Sequence, residues 1–517
     1  MFLKSLVKIK NIQTYKIIKI CYILFLFFTF IYVNFKVNLI LNNNNNFYNK
    51  YQTLSLLVPS DKCILFSNTL YFISKFRNNS KNIDNKFDIY KLKIKNKSYF
   101  VFYYMFEYYK NYSYIFEEHG LLKKYNFCDN NIIISDSLDL ENLNTIKNKK
   151  LLNKYQKIFY FKEKKKFFNK DIIYNNYIYM KNLFNEDFNF MSETFNYPEN
   201  KDLILSKFKN YEFNLENLWL IKPKDNCAGR GIFFFKSLKN ITIDNYIITK
   251  YITYPHLINN KKYDLRIYVL ISGLKPLRIY INKEGLVRFA SEKYSLNEKS
   301  FQNEFIHLTN TDINKKHRNY IYPQNSEDEN SNIWNLHTYK KYLYSKKFNF
   351  YLIWDKIKDI IIKTIISLHN NLIKKDEQLN LNDRNFYYLL GFDILITDKL
   401  KPILLEVNYP PSLESYNIID KSIKTNIFID ILNIIGITPF SHNVWSKPLF
   451  KEYKFKNNIE EAYNYGLCEL TRPRGNFELI FPIKENIKKY QKFFIKNNEE
   501  NIIFWRNILE ISRINLK

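Results

Sequence analysis

The chain has 517 residues, which is too long for one compact core, so two or three domains are expected. Its 79 lysines and arginines against 50 acidic residues give a net charge of +29, which attracts nucleic acids, anionic membranes or acidic protein tails. No helix-turn-helix, zinc-finger or RNA-binding signature accompanies this charge, so we expect no nucleic-acid partner. The five cysteines have no C-x-x-C spacing, which argues against a disulfide framework or zinc site and favours a reducing compartment.

Residues 1–50 form a basic and apolar N-terminal segment. Ile20–Val33 is apolar apart from one threonine and follows five lysines. Ile20–Leu41 reaches the roughly 20 residues that a membrane-spanning helix needs, if three polar positions are tolerated. Because no small-residue cleavage site follows, we expect a membrane anchor rather than a signal peptide. The asparagine run Asn42–Asn46 is typical of a flexible tether.

Residues 51–215 are expected to form a smaller α/β domain that is partly of low complexity. Short apolar stretches alternate there with loops rich in asparagine and lysine. Three of these stretches are candidates for strands or short helices: Tyr71–Phe76, Tyr99–Tyr104 and Asn131–Ser135.

Residues 216–440 carry the clearest strand pattern. Leu218–Ile221 and Gly231–Phe235 predict one hairpin, and Tyr246–Ile252 and Leu265–Ser272 predict two further strands. Pro276–Ile281 and Leu286–Ala290 predict a second hairpin that turns at Glu284-Gly285.

The helical pattern begins later in the same region. Phe350–Asn371 has apolar residues at helical spacing, which predicts a core helix. Leu389–Ile396 and Pro402–Val407 predict a hairpin that turns at Asp398-Lys399. Ile418–Ile435 predicts an amphipathic helix that ends at Gly436. Residues 441–517 are expected to form a basic, helical C-terminal extension.

A lysine and a glycine-containing turn suggest a phosphate site. Lys222 ends a strand and is followed by Gly229 and Gly231, and five of the chain's nine glycines lie between Lys222 and Asn408. An ammonium group and exposed backbone N–H groups suit phosphate oxygens. The spacing excludes a P-loop, and an ordinary hairpin turn explains the pattern equally well.

Charged residues alternate along one predicted strand. Lys262, Asp264 and Arg266 share a face because side chains alternate with a period of two, and Arg288 lies on the following stretch. Such a face needs ion pairs or a ligand. The alternative is a solvated edge strand.

Three oxygen-bearing side chains lie on the last two predicted strands. Asp393 lies on the first, and Glu406 and Asn408 share one face of the second. Acidic residues inside apolar strands are uncommon, and carboxylate and amide oxygens suit Mg²⁺ beside nucleotide phosphates. The pattern therefore predicts a magnesium site.

Together these motifs resemble those of the tubulin-tyrosine-ligase-like family. The similarity rests on Lys222-Pro, Gly229-x-Gly231-Ile, Lys250-Tyr-Ile, Lys262-Tyr-Asp-Leu-Arg266, Glu284-Gly-Leu-Val-Arg288, His307-Leu-Thr-Asn310 with Lys315, Gly391-Phe-Asp393 and Leu405-Glu-Val-Asn408. Two departures are Thr249, where the family usually has Gln, and Pro410, where it usually has Ser. Neither departure removes a metal ligand or a phosphate-binding cation.

The resemblance implies an α+β, ATP-grasp catalytic region that uses ATP and Mg²⁺. It implies that Lys222, Lys262, Gly229, Gly231 and Asp264 bind ATP and that Lys250, Tyr251 and Ile252 form the adenine hinge. It also implies that Arg266, Arg288, Asn310 and Lys315 act in catalysis and that Asp393, Glu406 and Asn408 bind Mg²⁺.

The implied reaction is ATP-dependent addition of free glutamate to glutamate side chains in tubulin C-terminal tails, through an acylphosphate. The motifs look most like the polyglutamylase branch, with a glycylase or a tyrosine ligase as alternatives. Another acidic protein as acceptor, or microtubule binding without catalysis, also remains open. We expect a cytoplasmic, cytoskeleton-associated enzyme, with membrane contact through its N-terminus.

Overall fold

The computed structural model describes the chain from residue 92 onward, with gaps. All described residues belong to one compact unit, Ser60–Lys517. The described ranges are 92–94, 97–99, 102–105, 113–118, 122–123, 132–134, 156–159, 162–224, 229–238, 245–378, 382, 384–437, 457–496 and 499–514. The predicted stretch Tyr71–Phe76 and the candidate membrane anchor within residues 1–50 lie outside them. Within those ranges, no helix is both long and apolar enough to cross a bilayer.

Seventeen strands and twelve helices are found in the described ranges. The strands are β1 Leu92–Ile94, β2 Lys97–Tyr99, β3 Phe102–Met105, β4 Leu122–Lys123, β5 Ile132–Ile134, β6 Lys157–Ile158, β7 Thr194–Tyr197, β8 Trp219–Pro223, β9 Phe233–Phe234, β10 Tyr246–Lys250, β11 Leu257–Ile258, β12 Lys261–Leu274, β13 Leu277–Phe289, β14 Ile333–Asn335, β15 Tyr388–Ile396, β16 Pro402–Asn408 and β17 Phe477–Phe481. The α-helices are α1 Ser113–Glu118, α2 Lys162–Lys165, α3 Lys170–Phe184, α4 Lys201–Phe208, α5 Glu304–His307, α6 Thr311–Asn314, α7 Leu336–Ser345, α8 Phe350–Gln378, α9 Ile418–Ile435, α10 Asn458–Leu470, α11 Lys484–Tyr490 and α12 Glu499–Ile514.

The strands form three larger sheets and one hairpin, β1–β2. Strands β3 to β6 form a parallel sheet in the order β4-β3-β5-β6. An antiparallel four-stranded sheet has the order β7-β10-β8-β9. The seven-stranded sheet has the order β14-β13-β12-β15-β16, with β11 on β12 and β17 on β13. This mixture of helices and sheets confirms the predicted α+β class.

The seven-stranded sheet is the core of the described structure. All nine residues of β15 are buried, and β12 and β13 are buried almost throughout. Helix α8 contacts β12, β16 and β17, whereas α9 contacts β12, β13 and β14. These helices cover a sheet whose strands are nearly continuous apolar runs, which is the pattern of strands shielded from water.

Several predicted elements are confirmed. Strand β8 pairs with β9, β15 pairs with β16, and α9 spans the predicted Ile418–Ile435. Helix α8 continues seven residues beyond the predicted end at Asn371. In the N-terminal region, β5 matches the predicted stretch Asn131–Ser135. The predicted stretch Tyr99–Tyr104 contributes residues to both β2 and β3.

The predicted hairpin at Glu284-Gly285 is wrong. Strand β13 runs without a turn from Leu277 to Phe289, and Gly285 pairs with Ile267 next to a register shift. A Cβ atom at Gly285 would lie 2.6 Å from the carbonyl oxygen of Arg266. The glycine is therefore explained by close backbone approach at an irregular part of the ladder rather than by a turn.

Two further expectations are corrected. Helix α9 is not amphipathic, because 15 of its 18 residues are buried, including Asp420, Lys424 and Asp430. Cys468 is disulfide-bonded, so the expectation of reduced cysteines does not hold for this residue. The predicted domain boundaries stay predictions, although β17 shows that the C-terminal extension contributes a strand to the seven-stranded sheet.

Candidate active site

A cleft lies between the four-stranded sheet and the seven-stranded sheet. Eleven of the fifteen predicted site residues line it: Lys222, Gly229, Lys250, Tyr251, Ile252, Lys262, Asp264, Arg288, Asn310, Asp393 and Glu406. The remaining four are Gly231, Arg266, Lys315 and Asn408. Strands β8 and β10 supply one wall, and β12, β13, β15 and β16 supply the other.

Four charged side chains are paired across three neighbouring strands of the seven-stranded sheet. Asp264 on β12 is directly opposite Arg288 on β13, and Arg266 on β12 is directly opposite Asp393 on β15. The Nε atom of Arg288 donates to Asp264 Oδ1 over 3.0 Å, and that of Arg266 donates to Asp393 Oδ1 over 2.5 Å. A further contact of 2.9 Å joins Arg288 Nη2 to Asp393 Oδ2. We call these four residues the ion-pair cluster.

The ion-pair cluster lies in the interior of the sheet, and the position of its two arginines keeps Asp393 ionised. Burial acts to raise the pKa of Asp393, but the guanidinium groups of Arg266 and Arg288 outweigh it and hold that pKa well below its usual range. The carboxylate therefore stays ionised in the cleft wall. The alternative of a solvated edge strand is wrong, because β12 lies between β13 and β15.

The three predicted magnesium ligands come together at the end of the β15–β16 ladder. Asp393 is directly opposite Glu406, and Gly391 is opposite Asn408. The amide nitrogen of Asn408 lies 3.3 Å from Asp393 Oδ2 and 3.2 Å from Glu406 Oε1. Carboxylate and amide groups suit Mg²⁺ chemically, although both oxygens of Asp393 already accept from arginines. Across the described residues, no group of three or more His, Cys, Asp or Glu side chains is placed to hold a metal ion.

Two lysines in the cleft have lowered pKa values. Burial lowers the pKa of Lys222 to about 8; Glu406 opposes this shift and Lys170 adds to it. Burial lowers the pKa of Lys262 to about 7; the nearby Lys222 adds to the shift and Asp264 opposes it. Both ammonium groups are thus poorly solvated, and an anion in the cleft would stabilise their charged forms.

The glycine turn after β8 approaches the opposite side of the cleft. Gly229 has a φ of +77°, and a Cβ there would lie 2.8 Å from the Oδ1 atom of Asn310. Gly231 also has a positive φ, of +74°. A side chain would be strained at both positions and, at Gly229, also obstructed, which explains the glycines of this turn.

Lys315 is not on the cleft wall. Its Nζ atom pairs with Asp312 Oδ1 at 2.7 Å and lies 4.0 Å from the ring centroid of Tyr416. Arg266 and Asn408 do not line the cleft themselves, but each contacts Asp393, which does. The catalytic role of Lys315 stays a prediction.

Lys170 is a cleft residue that was not among the predicted site residues. It begins helix α3, lines the cleft and pairs with Glu406 at an Nζ–Oε2 distance of 3.7 Å. A lysine in the first helical turn opposes the helix dipole, and this was an available signal. His307 and Thr309, within a motif already noted, also line the cleft.

Sequence comparison places this geometry in a known family. Residues 146–444 match the tubulin-tyrosine ligase family, and this range contains every predicted site residue. The chain belongs to the tubulin-tyrosine ligase family.

Three members of the family illustrate the similarity. Human tubulin polyglutamylase TTLL6 is 33% identical over 372 residues, which cover 67% of this chain and 40% of the relative. Human tubulin monoglutamylase TTLL4 is 35% identical over 303 residues, which cover 57% of this chain and 25% of the relative. The probable beta-tubulin polyglutamylase of Tetrahymena thermophila is 30% identical over 377 residues, which cover 67% of this chain and 31% of the relative. The chain therefore spans less than half the length of these relatives, and the resemblance to glutamate ligases within the family is confirmed.

Replacing Arg288 with alanine should destabilise the fold, because it leaves Asp264 buried without its guanidinium partner. We expect the free energy of unfolding to fall by about 3–5 kcal/mol, as measured by urea denaturation. The control is Lys341→Ala, which removes an exposed ion pair with Glu327 and should leave the midpoint of urea denaturation nearly unchanged. Equal midpoints for the two variants would contradict the structural role of the ion-pair cluster.

Proposed function

We propose that this protein is an ATP-dependent ligase that adds glutamate to glutamate side chains in the C-terminal tails of tubulin. The observation that carries the proposal is the meeting, in one cleft, of the poorly solvated ammonium groups of Lys222 and Lys262 with the carboxylates of Asp393 and Glu406. The Asn408 amide lies next to both carboxylates. Poorly solvated cations beside metal-ligating oxygens suit a polyphosphate bound with a divalent ion. Family membership and the glutamylase names of the relatives support the same function.

The proposed nucleotide position follows the two walls of the cleft. We assign the two sheets to an ATP-grasp fold, with the adenine beside Lys250, Tyr251 and Ile252. Lys222, Lys262, Asp264 and the turn that contains Gly229 and Gly231 would surround the phosphates. Lys170 is added to this set because it lies in the cleft beside Glu406.

Asp393, Glu406 and Asn408 would hold Mg²⁺ in this proposal. Asp393 and Glu406 are cross-strand neighbours, and an amide rotation would direct the Asn408 oxygen toward them. The bound ion would neutralise charge on the transferring phosphoryl group. The arginines that now bind Asp393 keep it ionised and therefore available as a ligand.

The proposed chemistry has two steps. The acceptor carboxylate forms a bond to the γ-phosphorus of ATP, and ADP leaves, which gives an acylphosphate. The amine of free glutamate then attacks the acyl carbon, phosphate leaves, and one proton is released as the amide forms. Arg266 and Arg288 are assigned to the acceptor and phosphate side, and Asn310 and Lys315 to the γ-phosphate, where cations and amide donors would stabilise developing negative charge.

An acidic tail as acceptor agrees with the charge of the chain. The net charge of +29 favours association with a polyanionic peptide, and the relatives are named for action on tubulin. We therefore favour tubulin over another acidic protein, with a cytoplasmic and cytoskeleton-associated location.

Replacing Glu406 with glutamine should abolish ligation and leave the fold intact. The substitution removes one charged metal ligand at a partly exposed site without changing the side-chain volume. Transfer of labelled glutamate to purified tubulin, with ATP and magnesium, measures the effect. Glu298→Gln makes the same chemical change on the exposed surface and should retain full activity. Undiminished transfer by the Glu406 variant would contradict the site assignment.

Salt should raise the KM for an acidic tail more than the KM for ATP. Attraction between exposed charges is screened within about 10 Å at roughly 0.1 M salt, whereas contacts in the buried cleft are screened less. Steady-state kinetics with a tubulin-tail peptide between low and physiological salt would measure both values. A tail KM that does not change with salt would show that the basic surface does not recruit the substrate.

The affinity for ATP should fall as pH rises from about 6.5 to 9. Lys262 and Lys222, with pKa values of about 7 and about 8, lose protons in this range, while bound phosphates favour the protonated forms. Each lysine should weaken binding by up to about tenfold per pH unit above its pKa. In the Lys262→Arg variant, the loss of ATP affinity that begins near pH 7 should disappear, because arginine stays protonated. The loss that begins near pH 8 should remain. Calorimetric titration at several pH values measures this, and a constant affinity in the unmodified chain would contradict the proposed phosphate contacts.

A further inference from the structure

His307 occupies the centre of a buried hydrogen-bonded chain at one side of the cleft. Its Nδ1 atom lies 2.9 Å from the hydroxyl of Tyr251, and its Nε2 atom lies 3.3 Å from the Oγ atom of Ser300. Lys262 contacts the same pair of residues, since its Nζ atom lies 3.1 Å from the Tyr251 hydroxyl and 2.9 Å from the His307 carbonyl oxygen. The roles proposed above leave the imidazole of His307 without a function.

When Lys262 is protonated, one set of donors and acceptors satisfies every group in this hydrogen-bonded chain. Protonated Lys262 can only donate, so the Tyr251 oxygen accepts from it and the Tyr251 proton goes to His307 Nδ1. The other ring nitrogen, Nε2, then carries the proton and donates to Ser300. The single hydroxyl proton of Ser300 goes in turn to a backbone carbonyl oxygen, with that of Asn297 at 2.7 Å and that of Ser295 at 3.0 Å. Each group in the chain has a consistent role.

The surroundings keep the imidazole neutral and fixed. Burial, and then the nearby Lys262, lower the pKa of His307 to about 3, so the ring is uncharged at neutral pH. Its ring lies 5.1 Å from that of Phe234 and stacks on Phe301 at 5.7 Å. The Tyr294 hydroxyl is also close to that of Tyr251, but it donates its own proton to the Thr253 carbonyl oxygen at 2.7 Å.

We propose that His307 is a positioning residue that orients Lys262 toward the nucleotide phosphates through the Tyr251 hydroxyl and its own carbonyl oxygen. Two of the three ammonium N–H groups are taken by these acceptors, which leaves one for a phosphate oxygen. A lysine side chain held in this way loses less conformational entropy when the ligand binds. The inference rests on the proposed function, because it requires ATP in the cleft.

The test compares the affinities of the full chain for ATP with magnesium and for adenosine, by calorimetric titration. His307→Phe keeps an aromatic ring but removes both hydrogen bonds, and Tyr251→Phe removes one hydroxyl group. Each should weaken ATP binding roughly tenfold, the size expected for one hydrogen bond to a charged group, and should change adenosine binding less than about twofold. The double variant should bind ATP no more weakly than the single variant with the lower ATP affinity, because both changes interrupt the same series of hydrogen bonds.

The matched control is His256→Phe. His256 Nδ1 makes the same kind of contact, 2.9 Å from the Tyr263 hydroxyl, but His256 does not line the cleft. This variant should bind ATP as the unmodified chain does. His307→Asn, whose side-chain oxygen can replace Nδ1 as acceptor, should recover part of the affinity.

Different failures have different meanings. Equal losses for ATP and adenosine, or losses that multiply in the double variant, would overturn the positioning role. Unchanged ATP affinity in Tyr251→Phe would also overturn it, and this variant decides the matter if His307→Phe does not fold. An unmodified chain that binds ATP but transfers no glutamate would overturn the proposed reaction and leave the role of His307 supported.

Discussion

Two carboxylates and two guanidinium groups are buried side by side in the seven-stranded sheet, and the candidate active site is built around them. Burying four charges is costly, and the cost is offset here because each carboxylate is directly opposite an arginine on the neighbouring strand. The arrangement requires β12 to lie between β13 and β15 in one register. A slip of one residue would turn each of these side chains to the opposite face.

The same register places the nucleotide-binding groups of the proposal. Lys262, Asp264 and Arg266 follow one another at a spacing of two on β12, so the strand that carries the ion-pair cluster also presents Lys262 to the cleft. Lys222 is close enough to Lys262 to add to the lowering of the Lys262 pKa, and an anionic ligand would oppose that effect. This electrostatic effect agrees with the proposed polyphosphate ligand.

The part of the chain beyond the family match also supports this sheet. Strand β17 pairs with β13, and the Glu469 carboxylate on α10 accepts from Ser272, Arg278 and Tyr280 on β12 and β13. Glu469 is fully buried, so removing Arg278 would leave a buried carboxylate without the guanidinium group that pairs with it. Residues 457–514 thus help to hold two of the three strands that carry the ion-pair cluster.

The sequence by itself determined the family, the α+β class and most of the cleft residues, because these depend on local spacing. Alternation along β12 and the acidic residues within β15 and β16 are visible without any tertiary information. The extent of β13, the sheet position of β17 and the burial of α9 were decided by tertiary structure. The Glu284-Gly285 dipeptide has the composition of a turn, and pairing with Ile267 keeps it in the strand.

The partners of each charged residue were likewise settled by tertiary structure. Lys315 matched a family motif, yet the fold pairs it with Asp312 and Tyr416, away from the cleft wall. Lys170 lies more than 200 residues before Glu406 in the sequence, and only the packing of α3 brings the two together. The series of hydrogen bonds through His307 depends on contacts between segments up to 56 residues apart in the sequence. Local patterns therefore specified which residue types are present, and long-range packing specified what each of them contacts.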